Sequence, residues 1–185
     1  MPSANAIPFF PTAGALALRL APLAPLSFAA ARLARSLGRR HPALFKRLGD
    51  QTGKTFLLDP TDLPFAFLLS PRPEAPGLKA VRRSSAGSWD ARIAGSLAAL
   101  IGLVHGAYDG DALFFSRDLV IEGDTEAVLA LRNAIDNEEI DLARETAALF
   151  GPFESVALRP AHGLAALAAR WTGVAFKRPE RGTWE

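Results

Sequence analysis

The chain has 185 residues, 49% of them hydrophobic and 22% charged, enough for one domain of roughly 100–150 residues with about 50 to spare. It has no cysteine, and its three histidines (His41, His105, His162) lie far apart. That excludes disulfide frameworks, zinc ribbons, iron–sulfur sites and thiol nucleophiles, and neither a metal nor a cofactor is expected. The net charge of +2 conceals a split: residues 1–49 carry seven Lys/Arg and no Asp/Glu, and residues 50–185 carry fourteen Lys/Arg against nineteen Asp/Glu. A basic arm on a mildly acidic domain follows, and such arms seek anionic surfaces.

Within the arm, prolines 2, 8 and 11 interrupt the first uncharged stretch and prolines 22 and 25 the second. A spanning helix needs about 20 predominantly apolar residues, so none is expected. The positive charges follow the apolar stretch, the reverse of a secretory signal, and cytoplasmic residence is expected. Leu26 to Arg40 predicts a helix. Leu26, Leu33 and Leu37 gather on one side and Arg32, Arg35 and Arg39 on the other, with Phe28 out of place. These six residues are candidates for membrane contact, leucines down and guanidinium groups among lipid phosphates. The same pattern fits a stripe packed on the main domain, a partner helix or a targeting leader.

Beyond Gly49 the texture changes. Lys54–Leu58 and Phe65–Leu69 read as strands joined by the turn Asp59-Pro60-Thr61-Asp62. After a proline-rich bridge come further strands at Leu78–Arg83 and Trp89–Ile93, the latter with Trp89, Ala91 and Ile93 on one face. Ser96–His105 reads as a helix with Leu97, Leu100, Ile101 and Val104 as its buried stripe. Phe114 and Phe115 precede a strand at Asp118–Glu122, in which Leu119 and Ile121 share a face. Asp124 then caps a helix at Thr125–Asp136 lined by Val128, Leu131 and Ile135. Asn137-Glu138-Glu139 and Asp141 read as a solvated acidic loop. Residues 141–150 predict a short helix, and Pro160 opens another that runs to Phe176. About five strands with interposed helices make an α+β domain.

Chemical motifs are mostly missing. Gly53-Lys54-Thr55 hints at a phosphate loop, but position 48, where such a loop has glycine, holds leucine, and a strand follows where a helix should open. Lys54 reads instead as an exposed residue at a strand start. There is no Gly-x-Ser-x-Gly elbow, His-Glu-x-x-His or Gly-x-Gly-x-x-Gly. Asp109 and Asp111 supply far fewer oxygens than a calcium loop needs and read as a solvated turn. His105 suits a helix carboxyl end better than general-base work. What remains is a large apolar stock, equally suited to a closed core or to a core that parts around an apolar ligand.

Two segments carry a resemblance. Ala91–Leu100 (ARIAGSLAAL) runs from a strand into a small-residue helix, and Gly110–Leu129 (GDALFFSRDLVIEGDTEAVL) sets phenylalanines before a Leu-x-Ile-x-Gly-Asp strand and the next helix. Together they resemble the sterol carrier protein type 2 domain over about residues 50–150. The run through Leu131–Asp136 and Glu139–Leu142 is similar to one bacterial branch, accessory factors of oxygen-independent ubiquinone biosynthesis. The resemblance implies about five largely antiparallel strands with packed helices around an apolar tunnel, between an N-terminal helical arm (1–49) and a C-terminal helix and tail (151–185). It implies a tunnel lined by Phe65, Phe67, Leu97, Leu100, Ile101, Val104, Phe114, Phe115, Leu119, Ile121, Val128 and Leu131. The implied cargo is a polyprenyl phenol, quinone or phospholipid, and the implied partners are hydroxylase subunits of that pathway. No catalysis by this chain is implied, and peripheral association with an inner membrane is expected through the arm. The competing reading is a closed-core scaffold that recruits partners or membrane through that arm. Nucleic acid is not an expected partner, because the arm lacks interleaved aromatics and known modules.

Overall fold

The computed structural model describes residues 12–105 and 118–138, together with Glu145. Three helices lead in: α1 (Thr12–Arg19), α2 (Ala24–Arg40) and α3 (Ala43–Leu48). Pro25 sits in the first turn of α2, where its missing N–H costs nothing, and Arg39 and Arg40 complement the carbonyl end. A 3-10 turn at Gly49–Gly53 then delivers the chain to β1 (Phe56–Pro60), β2 (Ala66–Ser70) and β3 (Gly77–Val81). These three form an antiparallel meander. β4 (Ala91–Gly95), α4 (Leu97–His105), β5 (Leu119–Gly123) and α5 (Thr125–Asp136) follow.

The sheet order is β3-β2-β1-β4-β5. β4 pairs antiparallel with β5 and parallel with β1, so three of the four ladders are antiparallel. The expected α+β architecture with five largely antiparallel strands is borne out. To lie parallel beside β1, β4 must begin at the end of the sheet where β1 begins. Residues 82–90 therefore run back across one sheet face, where Ala86 and Trp89 pack with Leu57, Ala66, Leu68 and Val81. This overturns the expectation that Trp89 shares a face with Ala91 and Ile93. Trp89 precedes the ladder, so strand parity does not govern it, and it joins the opposite cluster. The helices occupy the other face, where Phe56, Ile93, Leu103, Leu119, Val128 and Leu131 form the main core.

Local chemistry sets the helix boundaries. Ser96 Oγ accepts from the Ala99 N–H at 3.1 Å and opens α4, while Asp124 Oδ1 accepts from the Ala127 N–H at 3.0 Å and caps α5. Gly123 holds φ +82°, and a Cβ there would collide with the Asp90 carbonyl. Gly123→Val is accordingly expected to cost about 3 kcal/mol, combining left-handed strain with a backbone clash. Urea unfolding reads it as a lowered midpoint at constant slope.

α2 runs alongside the edge strand β3. Ser27 Oγ donates to the Ala80 carbonyl at 3.0 Å, and at the other end of the helix the approach is so close that a Cβ on Gly38 would lie 2.8 Å from Pro76 Cγ. Ala30 and Ala34 are the buried apolar residues of α2, so small side chains permit the contact. The helix thereby covers an edge that would otherwise invite pairing with another chain. Arg82, just past β3, holds the α1–α2 junction by donating to the Leu18 and Ala21 carbonyls at 3.4 and 2.8 Å. Among the described residues no helix is long and apolar enough to cross a membrane.

Candidate functional site

Several sequence-predicted tunnel residues meet on the helix-covered face. Leu119, Val128 and Leu131 are buried in the main core, and Leu100 and Ile121 pack against it half-buried. Phe67 points to the same face, since it lies one residue from Leu68 and two from Leu69 in β2. Phe65 is buried, and its ring meets Phe67 edge-on at 5.6 Å between centroids. Leu97, Ile101 and Val104 are half-buried on α4. Phe114 and Phe115 lie outside the described residues, as do Asp109, Asp111 and the predicted helix from Pro160.

The α4 stripe differs from expectation. Ala98, Ala99 and Leu103 face fully inward, whereas Leu97, Leu100, Ile101 and Val104 remain partly exposed. The helix is apolar nearly all round (LAALIGLVH), so hydrophobic spacing could not select which side faces the sheet, and the smallest side chains win the closest approach. Four large aliphatic side chains are thus left along α4 with apolar surface uncovered.

On the sheet's other face lies a polar feature that sequence spacing did not reveal. The Asp59 carboxylate, 1% exposed, accepts from Arg83 Nε at 2.6 Å and from Arg92 Nε and Nη2 at 3.0 and 2.6 Å. Arg83 also donates to the Pro60 carbonyl at 2.6 Å, and Arg92 reaches Glu122 at 2.8 Å. This carboxylate accepts three hydrogen bonds from two neighbouring guanidinium groups, so the cluster acts as a clasp across β1, β4, β5 and the 82–90 connection. Lys54 plays a smaller version of the same part, pairing with Asp124 at 3.1 Å and Asp90 at 4.0 Å. The capping N–H of Ala127 and the Lys54 ammonium hold the Asp124 carboxyl below the usual carboxylate range, and Asp124 in turn raises Lys54. The 3-10 turn before it and the strand after it leave no helix amino terminus for a phosphate.

Where α2 meets α3, both ring nitrogens of His41 face carboxylates: Glu138 at 3.2 Å and Glu145 at 3.3 Å, with Arg47 a further 3.7 Å from Glu138. Glu138 is therefore no solvated loop residue, as its sequence context suggested. It closes a long-range clasp between the arm and the end of α5. No signal within a run of Asn and Glu announces a partner 97 residues away. Among the described residues no group of three or more His, Asp or Glu is arranged to hold a metal ion.

The predicted membrane-contact residues divide. Leu26, Leu33 and Leu37 are half-buried beside the small-residue face of α2, whereas Arg32, Arg35 and Arg39 are exposed. The large apolar side chain exposed on α2 is Phe28, 64% accessible, and Leu16 and Leu20 of the preceding segment are 62% and 92% accessible. At 100° per residue Phe28 stands with the arginines, opposite the leucines.

The profile of the SCP-2 sterol transfer family matches residues 34–136, from the second half of α2 to the end of α5. A solved structure of the UbiJ-SCP2 ubiquinone synthesis protein superposes with a TM-score of 0.51 at 20% identity, covering 63% of this chain and 94% of that one. Sterol carrier protein 2 from Yarrowia lipolytica, in its apo form, gives 0.43 at 15% identity, covering 58% and 87%. No curated protein sequence matches.

Proposed function

This chain belongs to the SCP-2 sterol transfer family, and from that premise we propose that it is a non-catalytic carrier. It holds a lipid in an apolar tunnel on the helix-covered face of the sheet. The observation that carries the reading is the family match itself, which spans all five strands and α3 to α5. The half-buried Leu97, Leu100, Ile101 and Val104 support it, since they offer aliphatic surface beside the main core. Each buried methylene is worth about 0.8 kcal/mol, so a prenyl chain leaves a bilayer only for an equally dry site, and a protein wall of leucine and isoleucine provides one.

The cargo we propose is a polyprenyl phenol or quinone precursor of ubiquinone, and the role that of an accessory factor like UbiT, serving hydroxylase subunits of the oxygen-independent pathway. The resemblance of residues 110–142 to that branch supports this, and the fold shared with a ubiquinone synthesis protein agrees with it. Docking on an anionic membrane is assigned to the arm, whose exposed Arg32, Arg35 and Arg39 suit lipid phosphates. Cells lacking the protein are expected to lose ubiquinone when grown without oxygen and to keep it in air. Quinone extraction and quantification reads the outcome, and unchanged anoxic ubiquinone would overturn the pathway assignment. The closed-core scaffold stays as the second reading, favoured by the dense packing of Phe56, Ile93, Ala99 and Val128.

A further inference from the structure

A groove of about 450 Å³ runs between α2 and the β2–β3 edge, with Phe28 and Ala31 on its helix side and Leu68, Leu78 and Lys79 on its strand side. It is not the proposed tunnel. Of its strand residues, register places Leu68, Ser70, Gly77 and Lys79 on the face turned away from α4 and α5, and only Leu78, on the edge strand, on the other. Its volume falls in the range of ligand pockets, its walls are mainly apolar, and it contains no carboxylate. Its single charged lining group is Lys79, exposed and without an ion-pair partner among the described residues. Phe28 stands at the groove 64% accessible, and Arg35, one helical turn beyond Ala31, adds an exposed cation on the same side of α2.

We propose that this groove is a second binding site, for one acyl chain of an anionic membrane phospholipid whose phosphate pairs with Lys79. The occupant follows from the charge pattern: an apolar trough lined by one unpaired ammonium and no carboxylate matches an acyl chain whose glycerol headgroup carries a phosphate. Phe28, exposed among the arginines of α2, is the side chain that enters the bilayer boundary where the chain is taken up. The site stands apart from the quinone-precursor tunnel and does not depend on it.

The test uses full-length, delipidated protein incubated with phosphatidylglycerol or phosphatidylcholine vesicles, re-isolated, and extracted to quantify bound phospholipid. Wild type is expected to take up phosphatidylglycerol in about tenfold preference over phosphatidylcholine, whose choline cation offsets its phosphate charge and is repelled by Lys79. Ala31→Trp, which fills the groove from a partly exposed helix position, is expected to lower phosphatidylglycerol uptake about tenfold. Lys79→Glu is expected to abolish the preference. Uptake of a polyprenyl phenol by either variant should match wild type. Equal uptake of the two phospholipids by wild type, or unchanged phosphatidylglycerol uptake by Ala31→Trp, overturns the proposal. Loss of polyprenyl phenol uptake alongside phospholipid in Ala31→Trp also overturns it, because a single site would then serve both ligands. Failure of wild type to take up polyprenyl phenol counts against the carrier reading and leaves the phospholipid result to be judged by its own arms.

Discussion

Leu100→Trp is expected to abolish uptake of a polyprenyl phenol while leaving the protein folded. Leu100 packs half-buried against the main core from α4, the helix whose large aliphatic side chains keep apolar surface uncovered. An indole there occupies the space of several methylenes of cargo. Displacing three of them costs about 2–3 kcal/mol, roughly a hundredfold in affinity. If the core is closed, the same substitution overpacks it and costs about 1–3 kcal/mol of stability, with no ligand effect to read. Equilibrium binding to the purified variant, paired with urea unfolding, separates the two. Wild-type affinity in a stable Leu100→Trp protein would remove Leu100 from the tunnel.

Asp59→Ala carries a large expected loss of stability, comparable to that of Gly123→Val. Its carboxylate is buried and satisfies two guanidinium groups at once. Removing it leaves Arg83 and Arg92 without their shared anion. Breaking such a pair costs about 3–5 kcal/mol in a fully buried setting. The arginine side chains retain 38% and 25% exposure, so both regain some hydration, and about 3 kcal/mol is expected. For a chain of this size that corresponds to a fall in melting temperature of about 6–12 °C. Asp59→Asn, which keeps an acceptor oxygen but not the charge, should lie between. A loss under about 1 kcal/mol for Asp59→Ala would show that the clasp is replaceable by water.

The same residue shows where sequence reading stops. Asp59-Pro60-Thr61-Asp62 has the composition of a turn, and a turn does join β1 to β2, but Asp59 itself ends inside the sheet with partners 24 and 33 residues further along. Short-range spacing carries no information about such a pairing. By contrast, the α5 boundaries were legible to the residue, because Asp124 advertises a cap and Val128, Leu131 and Ile135 keep strict helical spacing. Four of the strands lie one or two residues later than the sequence suggests, whereas β3 starts one residue before the expected run and stops two short of its end. Runs such as Phe-Leu-Leu and Ala-Phe-Leu-Leu are apolar on both faces and lack the alternation that fixes an end.

In α2 the arithmetic correctly set Phe28 apart from the leucines. Its exposure beside a groove depends on β3, a neighbour more than 45 residues away in the chain. The parallel β1–β4 pairing was likewise hidden, since it arises from the path of residues 82–90 across the sheet. The candidate tunnel was legible only as a stock of apolar residues. Which of them face the core turned on small alanines in α4 that hydrophobic spacing outranks.

That this chain carries a lipid is tested most directly by native mass spectrometry of the purified full-length protein, followed by organic extraction of whatever is bound. A bound species is expected, identified by extraction as a polyprenyl phenol or quinone, with Leu100→Trp purified in parallel returning without it. An apo mass that stays unchanged after incubation with quinone-loaded and phospholipid vesicles would contradict lipid carriage and leave the closed-core scaffold.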